Sequence, residues 1–71
     1  MPNKNAAKAT AVARLVECEK KERAGENVGD FYRTKVQPAV NAAMQAGCPL
    51  GEIHAEADRT YGRWLIDNAG K

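Results

Sequence analysis

Gly47-Cys48-Pro49 is the strongest constraint on how this chain folds. A glycine that takes positive φ just past a helix end, followed shortly by a proline suited to the first position of the next helix, reverses direction within about one turn. Amphipathic patterns lie on both sides of the break, so it separates two packed helices. No window shows the period-2 alternation of a half-buried strand. The fold class that follows is all-α.

Three windows carry apolar residues at a period near 3.6 and predict helices over about residues 5–24, 28–46 and 49–68, behind a flexible tail at 1–4. In the first, Ala9, Val12, Leu15 and Val16 share a face that Lys8 and Glu19 close off. Glu17 with Lys21 and Glu19 with Arg23 are i,i+4 pairs that carry its end into solvent. The second places Tyr32, Val36, Ala39, Val40 and Ala43 on one stripe, with Pro38 either kinking or splitting it. The third aligns Leu50, Ile53, Ala57, Tyr61, Trp64 and Leu65, with Arg63 and Asp67 paired on its polar side. Short connections imply a compact three-helix bundle, a single small helical domain over 1–71. Trp64, the one tryptophan, is the expected anchor of its core.

Size sets the energetic frame. A core in 71 residues contributes only about 3–5 kcal/mol net without staples or partners, so self-association or a protein partner is expected. Alanine is the largest component of the 44% apolar fraction, and large apolar side chains are few. Phe31 and Ile66 fall off the stripes of their own helices and are candidates for a contact surface. Lys20, Lys21 and Arg23 close the first helix while Arg33 and Lys35 open the second, which gathers five cations near one connection as a charged rim for a partner.

Chemistry is sparse. Cys48, at the N-cap of the third helix with Pro49 as its first residue, is a candidate reactive thiol, because the positive end of the helix dipole favours a thiolate. The single histidine, His54, lies too far along that helix to serve it as a base. His54 and Asp58 share a face at i,i+4, the spacing of two metal ligands or of a histidine oriented by a carboxylate, and a boundary histidine in a surface ion pair is the favoured reading. Cys18, Cys48 and His54 leave a zinc site one ligand short, so no metal or other cofactor, no small-molecule substrate and no catalytic residue is expected. The longest apolar run falls far short of the ~20 residues that span a bilayer, so no membrane is expected. Two cysteines outside any paired motif and no apolar leader make the cytoplasm the expected compartment.

The segment AAMQAGCPLGEI resembles the turn of a helix-turn-helix unit in the spacing of Ala43, Gly47 and Ile53. That resemblance implies a DNA-binding transcriptional regulator, with Glu52, Arg59 and Arg63 of the third helix at the bases. Glu56 stands where the motif has an apolar residue, and 11 basic against 9 acidic residues give a net charge of only +2. A steep electrostatic attraction to phosphates needs more. The favoured expectation is a small non-enzymatic protein-binding module, an adaptor or inhibitor acting on a larger host protein or assembly, in the style of phage or plasmid accessory proteins.

Overall fold

The computed structural model describes residues 3–69, all of them in helices or short connections. The first helix is Lys4–Arg23, capped by the Asn3 side chain, which accepts from the Ala6 amide at 2.7 Å. Of the expected tail, residues 1–2 lie outside the described residues, and Asn3 and Lys4 belong to the helix start. The second helix is composite: Gly29–Phe31, a π-helical stretch Tyr32–Val36, then Gln37–Gln45. The third is Leu50–Asn68.

Both connections use the same device. Gly47, at φ +106°, lets its own amide reach the Met44 carbonyl and the Cys48 amide reach the Ala43 carbonyl, each at 3.0 Å. Gly25, at φ +86°, repeats the pattern with Glu22 and Lys21. These are Schellman caps, which satisfy the last carbonyls of a helix and bring the residue after the glycine back onto the final turn. After Gly47 that contact is apolar, between buried Cys48 and buried Ala43. After Gly25 it is ionic, Lys21 to Glu26 at 3.7 Å.

The helices form an up-down-up, three-helix bundle. The first and third run parallel, joined by Lys8 and Glu52 at 2.7 Å near one end and by Lys20 over Trp64 near the other. The first helix packs on both neighbours, whereas the second and third touch each other little, so the bundle is open along one side.

The core is made of small side chains. Ala7, Ala11, Leu15, Val16, Cys18, Val36, Val40, Ala43, Cys48, Ile53 and Ala57 are buried. Several expected core residues are not. Tyr32 and Leu50 are exposed, and Val12, Tyr61, Trp64 and Leu65 are half-buried. Ala9 is exposed, and the inward face of the first helix is the one carrying Ala7, Ala11, Leu15 and Cys18. The reason is the central position of that helix, which must bury a broad face of small residues between two neighbours.

Pro38 neither splits the second helix nor stands at a break. The chain holds helical dihedrals through Val36 and Gln37, and the Gln37 amide donates five residues back to the Tyr32 carbonyl. Proline has no amide to donate and its ring crowds the carbonyl four residues before it; widening the preceding turn relieves that clash. The widened turn also shifts phase by one residue. One turn before Val36 now comes Phe31, which packs on the core, while Tyr32 rotates outward.

Candidate functional site

The first helix ends on three cations, Lys20, Lys21 and Arg23, which complement the negative end of its dipole. Two of them are held by aromatic rings from opposite neighbours. The Lys20 ammonium lies 4.7 Å from the centre of the Trp64 ring, and the Lys21 ammonium 5.2 Å from that of Phe31. Trp64 is itself stacked on Tyr61, centroids 5.8 Å apart and planes 15° from parallel. Arg23, Trp64, Leu65, Asn68 and Ala69 line a groove of about 660 Å³ beside this ridge. A cation over an aromatic face gains about 0.5–1 kcal/mol when exposed and more when a partner excludes water. The ridge is thus an apolar surface with fixed positive charge on top of it, built from both flanking helices.

Of the sequence-predicted contact residues, the structure brings together Lys20, Lys21, Arg23 and Phe31. Phe31 is half-buried under Lys21 and does not stand clear as an off-stripe residue. Arg33 is exposed and bound to Asp30 at 2.6 Å, and Lys35 is exposed on the second helix. Ile66 points elsewhere, with 76% of its surface open on the far side of the third helix. Periodicity alone places Trp64 and Tyr61 in the core, whereas the structure leaves both half-buried. What places them at the edge is the length of the third helix beyond its buried residues, which end at Ala57.

Cys48 is not an open turn thiol. It is 2% exposed, lies one residue before the Pro49 cap, and its Sγ sits 3.7 Å from the Lys4 carbonyl. Cys18 is also buried, and its thiol is pushed up by burial and then by Glu22 and Glu19. His54 and Asp58 are exposed, and no group of three His, Cys, Asp or Glu among the described residues is placed to hold a metal ion.

On the polar side of the third helix, Glu52 accepts from Lys8 and Glu56 from Arg59. These bonds hold both carboxyls below the usual glutamate range. Arg63 stands exposed beside them, and the Arg63–Asp67 pair is absent from the ion pairs of the described residues. Any base-reading surface here would carry two ionised carboxylates, with Arg59 already engaged.

Among protein-family models, curated proteins and solved structures, none matches this chain. The fold and the ridge define it as an all-α three-helix bundle with an aromatic, basic edge, and no helix among the described residues is long and apolar enough to cross a membrane.

Proposed function

We propose that this chain is a small non-enzymatic protein-binding module of the cytoplasm, an adaptor or inhibitor that covers a surface on a larger host protein or assembly, as phage and plasmid accessory proteins do. The observation that carries this reading is the pair of lysines held over Trp64 and Phe31. Rigid aromatic anchors with a basic rim suit a partner surface that is apolar at its centre and acidic around it. The reading of a helix-turn-helix regulator is less well supported, because the second and third helices scarcely pack on each other and Glu52 and Glu56 occupy the face turned to DNA.

The test is affinity capture from the source cells with nuclease present, comparing the parent with a Lys20→Glu/Lys21→Glu variant. A protein retained after nuclease by the parent and lost by the variant supports the proposal. A partner that disappears with nuclease, or that binds both forms equally, contradicts it.

A further inference from the structure

The outward face of the third helix packs on no other helix of the same copy, and its one internal ion pair is Arg59 with Glu56 of its own helix. At roughly 100° per residue, Gly51, Ala55, Asp58, Arg59, Gly62 and Ile66 fall in a band about 100° wide, opposite the buried stripe of Ile53 and Ala57. Ile66 is the most exposed of the large apolar residues, at 76%. Asp58 makes no ion pair among the described residues, and its negative charge repels that of Glu19 on the neighbouring helix. Glycine in a helix is destabilising relative to alanine, and a Cβ added at Gly51 or Gly62 meets nothing within 4 Å. The fold of one copy therefore gives no steric reason for either glycine.

An order to these residues emerges when the helix is set against itself, running the other way. About a two-fold axis between residues 58 and 59, Asp58 comes opposite Arg59, Ala55 opposite Gly62, and Gly51 opposite Ile66. Each apolar bulge meets a glycine and each charge its opposite. We infer that this face is a homodimer interface, in which the third helix pairs antiparallel with the third helix of a second copy. An isologous contact requires such a pattern, since every pairing occurs twice. The glycines let the two backbones approach at the short end of the 8–10 Å range for packed helices. Arg59 keeps Glu56 as a neighbour in its own chain and gains Asp58 of the other. The ridge of Lys20, Lys21 and Trp64 lies on the side turned to the first helix and stays clear, so the dimer would present two ridges.

Sedimentation equilibrium over a range of concentrations tests this. The parent should pass from one chain mass to twice that mass as concentration rises. Ile66→Asp should weaken the dimer by at least about 100-fold while leaving the circular-dichroism spectrum unchanged. Asp58→Arg and Arg59→Asp should each weaken it about tenfold, and the double exchange should restore it. Lys20→Glu/Lys21→Glu should leave it intact, which separates failure here from failure of the proposed function. A parent that remains a monomer to about 1 mM, a dimer indifferent to Ile66→Asp, or a double exchange no better than the single ones would overturn the inference.

Discussion

Ile53 and Trp64 occupy the same stripe of the third helix three turns apart, yet Ile53 is 0% exposed and Trp64 is half-open beneath Lys20. Side-chain size alone points to Trp64 as the anchor; burial assigns that role to Ile53. Ile53→Ala should cost about 2–5 kcal/mol, comparable to the whole stability of so small a domain, and leave it largely unfolded. Trp64→Ala should cost less, about 2 kcal/mol for its half-buried ring and the Tyr61 stack together, and remain folded in a thermal melt while losing binding at the ridge. Charge at single residues is equally uneven. The Glu19 carboxyl is pushed up, first by burial and then by Asp58 and Glu22, with His54 acting the other way. A group whose folded pKa is raised binds more protons folded than unfolded, so the stability it contributes is full below about pH 4.3 and is lost as pH rises through the folded value. Glu19→Gln should therefore raise the melting temperature at pH 7 and give no gain at pH 3. Glu52, held low by Lys8, has the opposite sign: its contribution is present above that range and lost as pH falls. Glu52→Gln should flatten the acid side of the melting curve.

At the level of elements, the second helix carries the clearest departure from simple periodicity. An unbroken 3.6-residue stripe puts Tyr32 inside with Val36, but the π-helical turn that accommodates Pro38 puts Phe31 there. Phe31→Ala should consequently destabilise the domain by roughly 2 kcal/mol, and Tyr32→Ala by less than about 1 kcal/mol, in urea melts. Equal effects would mean that the turn is an ordinary α-turn in solution. The three helices, their order and the reversal at Gly47 were legible because glycine past a helix end and apolar spacing are local signals. The π-turn was not, since proline announces a disturbance without saying how the chain absorbs it. The inward face of the first helix was also hidden: alanine and cysteine at 7, 11 and 18 carry little hydrophobic signal, and only the approach of two neighbours makes them a core. The site was half legible. Lys20, Lys21 and Arg23 stood out as a cluster with Phe31 nearby, but the ring that fixes Lys20 comes from Trp64, 44 residues further on.

For the molecule as a whole, small residues fill the interior, and Trp64, Tyr61, Leu65, Tyr32, Met44, Leu50 and Ile66 lie partly or largely outside it. A domain of this size built that way keeps little stability in reserve, and its remaining apolar surface is available for association. Its charge speaks against a phosphate backbone as the main partner: 11 basic residues face 9 acidic ones, and Lys8 and Arg59 are already bonded to Glu52 and Glu56. The central claim, contact with protein and not nucleic acid, is tested most directly by titrating random duplex DNA at low and moderate salt, with the Arg59→Ala variant alongside. The account predicts weak binding that vanishes at moderate salt and does not depend on Arg59. Submicromolar binding at moderate salt that Arg59→Ala abolishes would contradict it and make this chain a helix-turn-helix regulator.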